Sequence, residues 1–226
     1  MMKVSRSMLT VLVSAMGVTA MDAVGATSTQ PDTVVQDPID VPAVLIGEQR
    51  WMSRNVAVTT FRNGEIIPLV STAAEWAAAG ADGRAARVAY NNDIRNVARW
   101  GYLYNYAAVT DARGICPSRW RVPDDADWRV LENWLGGGAQ AATALRANTG
   151  WEADGGGTNS TGFSALPGGW RTQTGTFFLA GRIAYFWSTS RAGRNSTAHM
   201  LFNESRPIFR IGYDIGMGQS LRCIAE

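Results

Sequence analysis

Residues 97–135, VARWGYLYNYAAVTDARGICPSRWRVPDDADWRVLENWL, constrain the fold more than any other stretch. They hold four of the nine tryptophans, three of the six tyrosines and one of the two cysteines. Pro123 and Asp124–Asp125 come just before Trp128, Leu131, Trp134 and Leu135, which recur at helical spacing. A short acidic side chain there accepts from the free N–H groups of a first helical turn, and its charge suits the positive end of the helix dipole. Gly136, Gly137 and Gly138 then stop the helix. The block predicts an aromatic strand feeding a short amphipathic helix at the centre of one domain.

A chain of 226 residues, 46% hydrophobic and 10% aromatic, can bury a real core, so wholesale disorder is excluded. The net charge of +2 is too small to imply nucleic acid. Lys3 is the only lysine, and the arginines are scattered without a basic run. They read as solubility and hydrogen-bonding groups. His199 is the single histidine, which excludes a His-rich metal site. Cys116 and Cys223 form no CxxC motif, so zinc ribbons and thioredoxin-like redox motifs are excluded as well.

Residues 1–26 combine a basic start, an apolar run from Met8 to Met21 and Val24-Gly25-Ala26, the pattern of a cleaved secretory signal. The run is too short to span a bilayer comfortably, so no stable membrane span is expected in the mature chain. Residues 27–43 carry Pro31, Pro38 and Pro42 and no aromatic residue, the composition of a linker. The domain is expected over 44–226. Within it, Val44 to Ile46 and Trp51 to Val58 read as strands, Asn63-Gly64 as a hairpin turn, and 71–81 as a short helix. Residues 82–96 read as loop, 139–149 as a second helix and 150–162 as a glycine-rich loop. Short strands are then expected at 176–179, 184–188, 198–203, 208–213 and 221–224, with no helical period after residue 150. This order predicts an α+β domain.

WMSRNVAVTTFRNGEIIP, YNNDIRN, CPSRWRVPDDADW, TGFSALPGGWR, FWSTS and LRCIAE occur in one order over residues 44–226. They resemble the Fibrobacter succinogenes major paralogous domain family of bacterial surface and secreted proteins. More remotely, that family resembles the C-type-lectin-like fold shared by formylglycine-generating enzymes and by the variable proteins of diversity-generating retroelements. The resemblance implies two short helices flanking a small twisted antiparallel sheet with long loops. It also implies a bridge between Cys116, near a helix, and Cys223, on the last strand. Two cysteines in an exported chain tend to pair in any case, the alternative being two buried thiols.

Chemical readings of particular residues do not gather into an active site. Formylglycine-generating chemistry, as the remote relatives perform it, needs a neighbouring pair of reactive cysteines, and this chain has none to spare. Asp124, Asp125 and Asp127 suggest a paired-carboxylate hydrolase, but a helix start explains them better as caps. Ser188-Thr189-Ser190 with His199 lacks a nucleophile-elbow context. Neither Gly136–Gly138 nor Gly155–Gly157 carries a phosphate-loop ending. Asp154, Asn159, Asn203 and Glu204 supply oxygens at no convincing calcium spacing. No metal, cofactor or catalytic residue is therefore expected.

Residues 185–219 stand apart. Tyr185, Arg191, Asn195, His199, Asn203, Glu204, Arg210, Tyr213 and Asp214 are the side-chain types of adaptable binding surfaces, which pair rigid aromatic area with versatile hydrogen bonding. In the retroelement-diversified relatives the variable segment lies in this same C-terminal stretch. The expectation is a non-catalytic module, secreted or displayed on a bacterial surface, that binds a protein or carbohydrate ligand through this face. Two alternatives remain: a diversified receptor-binding protein of a phage or mobile element, carried on a virion, and an enzyme of the formylglycine-generating type.

Overall fold

The computed structural model describes residues 41–204 and 206–226. The expected signal, residues 1–26, and the linker up to residue 40 lie outside the described residues. The first half of the domain comprises β1 (Ala43–Ile46), β2 (Gln49–Met52), α1 (Ala73–Ala81), β3 (Arg87–Val88), α2 (Val97–Trp100), β4 (Leu103–Tyr104) and α3 (Tyr106–Val109). The second half comprises β5 (Trp120–Arg121), α4 (Asp125–Trp134), α5 (Gly138–Leu145), β6 (Trp170–Arg171), β7 (Phe177–Phe178), β8 (Ile183–Ala192), β9 (Asn195–Phe202), β10 (Phe209–Tyr213) and β11 (Ile224–Ala225). The fold is α+β, as expected.

Its strands form four small sheets among the described residues, in the orders β1-β2-β11-β5, β10-β9-β8, β3-β4 and β6-β7. Every named strand pair is antiparallel. The expectation of one sheet with two helices was too simple. Three helices reach eight residues or more, and the chain closes its sheets by bringing β11 back between β2 and β5.

The helix starts obey local chemistry. Thr72 Oγ1 accepts from the Glu75 amide at 3.2 Å to cap α1. On α4, Asp124 Oδ1 accepts from the Asp127 amide at 2.9 Å while Asp127 Oδ2 accepts from the Asp124 amide at 2.8 Å, a reciprocal capping box. The capping role expected of these aspartates is thus what they perform. Along α4, Trp128 and Leu131 are buried, but Trp134 is exposed and turned over the β1–β2 turn. Gly47 occupies that turn at φ +61°, where a Cβ would stand 2.8 Å from the Trp134 ring.

Four other expectations need correction. The strand begun at Trp51 ends at Met52 rather than Val58, because Val56 donates from its amide to the Leu221 carbonyl instead of extending a ladder. The Asn63-Gly64 turn forms, but it joins only a single bridge between Thr60 and Ile66. The loop at 82–96 contains β3, held to β4. The helix expected to run to 149 stops at Leu145, since Arg146 turns to extended backbone and bridges Ala165.

One core packs around Tyr102, Tyr104, Tyr106, Trp187 and the Cys116–Cys223 disulfide, whose Cα atoms are 6.1 Å apart. A second lies under α4, α5, β8 and β9 and contains Trp51, Trp128, Leu131, Leu145, Phe163 and Phe186. Of the arginines read as solubility and hydrogen-bonding groups, Arg87, Arg146, Arg171 and Arg222 are buried and serve only the second role. Arg171 donates to the carbonyls of Val70, Ser71 and Gly175 at 2.8, 2.8 and 3.0 Å and lies over the rings of Trp76 and Phe177. Short elements leave many loop carbonyls inside the domain without ladder partners. A guanidinium, with five donors in a rigid fork, satisfies several of them at once.

Candidate binding face on the C-terminal sheet

The three-stranded sheet is set by a long hairpin. Tyr185 faces Met200 and Phe186 faces His199, until the register shifts between Trp187 and Arg191. On the other side of β9, Met200 faces Phe209, His199 faces Arg210 and Ser196 faces Tyr213. Side chains alternate between faces along a strand, so Tyr185, Met200 and Phe209 share one side and Phe186, His199 and Arg210 the other.

The second side turns inward. His199 is fully buried and stacks on Trp128, centroids 4.7 Å apart and planes at 14°. Burial, with Arg210 and Arg129 nearby, pushes its imidazole down to about 3. Asp125 Oδ1 stands 3.4 Å from Nε2, but that carboxylate is already engaged by Arg129 at 2.6 Å and lies 3.8 Å from Arg210. The ring is a neutral aromatic spacer at pH 7. Ser188 Oγ donates to the Thr197 carbonyl and Ser190 Oγ accepts from the Asp125 amide, so both hydroxyls are committed to structure.

The first side is partly open. At the Trp187 end it is covered, with the indole donating to the Tyr104 carbonyl at 2.7 Å. Towards β10 an aromatic cluster emerges. Trp170 lies 5.7 Å from Phe178, 5.5 Å from Tyr185 and 6.2 Å from Tyr213, and Phe202 lies 5.2 Å from Phe209, all centroid to centroid. Phe178, Phe209 and Ile211 keep 44%, 42% and 51% of their surface accessible, enough to meet a ligand. β10 is the end strand of its sheet, and among the described residues no strand pairs with its outer side.

The residues expected to bind do not form one constellation. Tyr185 and His199 are buried; the Tyr185 hydroxyl, 3.4 Å from that of Tyr213, is pushed well up by burial. Tyr213 stays half-buried and also donates to Met200 Sδ at 3.2 Å. Arg191, exposed over the Tyr106 ring, and half-buried Asn195 lie at the hairpin tip. Half-buried Asn203 and exposed Glu204 follow β9 at the other end, where Glu204 pairs with Arg206. Arg210 is exposed on the edge strand, and exposed Asp214 accepts from the Gly216 amide at 2.8 Å, holding the turn after it. The attention paid to polar residues missed Trp170, Phe178, Phe202, Phe209 and Ile211. The alternation Phe209-Arg210-Ile211-Gly212-Tyr213 was the available signal for the last two.

Among the described residues no group of three or more His, Cys, Asp or Glu is placed to hold a metal ion. Nor is any described helix long and apolar enough to cross a membrane. Fold and face together describe a disulfide-locked α+β domain that presents a rigid, partly aromatic sheet. The chain belongs to the Fibrobacter succinogenes major domain family, whose description matches residues 44–225. Searches of curated proteins and of solved structures return no match.

Proposed function

We propose that this protein is a non-catalytic binding module, exported and held on or released from the cell surface, which recognises a protein or glycan through the C-terminal sheet. The observation that carries this reading is a set of exposed apolar side chains, Phe178 against Trp170 and Phe209 and Ile211 on the edge strand that also carries Tyr213, on a sheet joined to α4 through His199 and Trp128. Rigid aromatic area loses little conformational entropy on binding, and rings stack on sugar faces as readily as on apolar side chains. The disulfide agrees with an oxidising compartment, and its span from the segment before α4 to the segment beside β11 agrees with a C-type-lectin-like arrangement. With both cysteines bonded to each other, no thiol is left for formylglycine-generating chemistry.

The test is a glycan array and a panel of purified surface proteins, probed with the whole chain and with a Phe209→Ala/Ile211→Ser variant. Saturable binding to a glycan or a protein, weakened at least about tenfold in the variant at unchanged melting temperature, is the expected result. Binding undiminished in the variant overturns the choice of face, and detectable turnover of a ligand overturns the non-catalytic reading.

A diversified display protein is a second form of the same physics. It is favoured by a continuous hairpin and edge strand that carry exposed Arg191, Glu204, Arg210 and Asp214 on a framework locked elsewhere. An imperfect repeat of the segment encoding 185–219 beside a reverse-transcriptase gene would distinguish it from an invariant module.

A further inference from the structure

A cleft of about 740 Å³ opens on other elements, between the segment after β2, helix α2 and the Gly162–Leu166 loop. Arg54, Arg99 and Arg222 line it with Ser53, Asn55 and Ser164, and no carboxylate is among its lining residues. Val97 and Leu166 give it apolar wall. Its size falls within the range of small-molecule sites.

The three guanidiniums differ in their ties. Arg222 is buried and donates to Asn55 Oδ1 from Nε and Nη2 at 3.2 and 2.7 Å, and from Nη1 to the carbonyls of Met52 and Phe163. Those bonds occupy four of its five N–H groups, all on neutral acceptors, so no carboxylate among the described residues meets its charge. Arg99 is exposed, lies over the Trp100 ring and donates to the Gly150 carbonyl at 3.2 Å. Arg54 is exposed, and no ion pair or hydrogen bond ties it to a described residue. Several exposed arginines elsewhere in the domain do find nearby acids, as Arg84 does in Asp82, Arg95 in Asp93 and Arg206 in Glu204.

Two glycines keep the cleft walls close to one another. A Cβ at Gly101, which sits at φ +73°, would stand 2.5 Å from the Val56 carbonyl oxygen, and one at Gly162, at φ +70°, would stand 3.0 Å from Val44. A cavity that concentrates cations, excludes carboxylates and carries hydroxyls beside an apolar wall is matched to a ligand with an oxyanion on a compact polar body.

We infer that this cleft binds a small ligand through a carboxylate or phosphate group, with Arg54 and Arg99 as the anion's direct partners and Arg222 as a fixed positive charge behind them. The site is independent of the aromatic sheet face and does not rest on the function proposed for it.

Calorimetric titration of the full-length protein with glucuronic acid, inorganic phosphate and, as the uncharged control, glucose tests the inference. Saturable binding of either anion with Kd below about 10 mM, and none of glucose, is the expected result, and the anion that binds identifies the chemistry. Arg54→Glu should weaken that binding by at least about tenfold without lowering the melting temperature, because Arg54 is exposed and tied to no other described residue. Arg54→Lys should retain most of it. The inference is overturned if neither anion saturates, if glucose binds equally well, or if Arg54→Glu binds the anion as tightly as the original chain.

Discussion

His199 lies flat on Trp128, with centroids 4.7 Å apart and planes at 14°, and through this contact β9 is joined to the central helix α4. Because burial drives the imidazole pKa from 6.5 down to about 3, the folded chain refuses a proton that the unfolded chain accepts between those values. Stability contributed by the neutral ring is therefore complete above about pH 6.5 and is lost as the pH falls towards 3. Thermal melts from pH 7 to pH 4 should show a decline worth about 2–4 kcal/mol, and His199→Phe, which keeps a flat ring, should flatten it. An equal decline in the variant would show that other groups cause it.

Asp127 should report in a lower window. Burial works to raise its carboxyl, but Arg121, donating at 2.5 and 2.7 Å, and the Asp124 amide outweigh burial and hold the pKa below the usual value. Its contribution is present above about pH 4 and lost as pH falls below that. Asp124→Ala removes one cap and should cost about 1 kcal/mol, whereas Asp127→Asn weakens both cap and ion pair and should cost about 2. Urea melts at pH 7 give both numbers, and an unchanged midpoint for Asp127→Asn would contradict the role assigned to the pair.

Arg222 should be among the least replaceable residues. Arg222→Ala leaves Asn55 Oδ1 and the carbonyls of Met52 and Phe163 without their donor and opens a void beside Phe163 and Phe186. A loss of about 3 kcal/mol or more is expected, and Arg222→Lys should recover little, since one ammonium cannot span the same acceptors. Chemical denaturation, or failure of the variant to accumulate folded, measures this.

Reduction of Cys116–Cys223 should lower stability by about 4–5 kcal/mol in the chain-entropy view, given a separation of 107 residues. Intact-mass analysis should show a gain of two hydrogens on reduction. A melting temperature unchanged by reductant would mean that the two cores hold the ends of the domain without the bridge.

Legibility in the sequence tracked the range of the interactions. The cap at Asp124, the stop after Trp134 and the strand character within 184–188 and 198–203 depend on neighbours a few residues away, and each was readable. The limits of the second helix and of the Trp51 strand were not, because distant partners end them: Ala165 for Arg146 and Leu221 for Val56. The candidate face was legible as a region but not as a set of residues. Composition pointed to His199, which the sheet turns inward, and to Tyr185, which shares the outer side with Phe209 but is covered there by Trp170 and Tyr213, and it passed over exposed Phe209 and Ile211.

What the sequence determined by itself was therefore the α+β class, the helix starts and the C-terminal run of strands, written in spacing and local capping chemistry, while the family followed from the resemblance of its motifs. Tertiary structure alone decided which arginines are buried, which side of β9 faces the core and where an acid-free cleft opens. Arg171 meets Val70 across 101 residues of chain and Arg222 meets Met52 across 170. Hydrogen bonds over such separations exist only once the whole core has closed, so no local pattern records them.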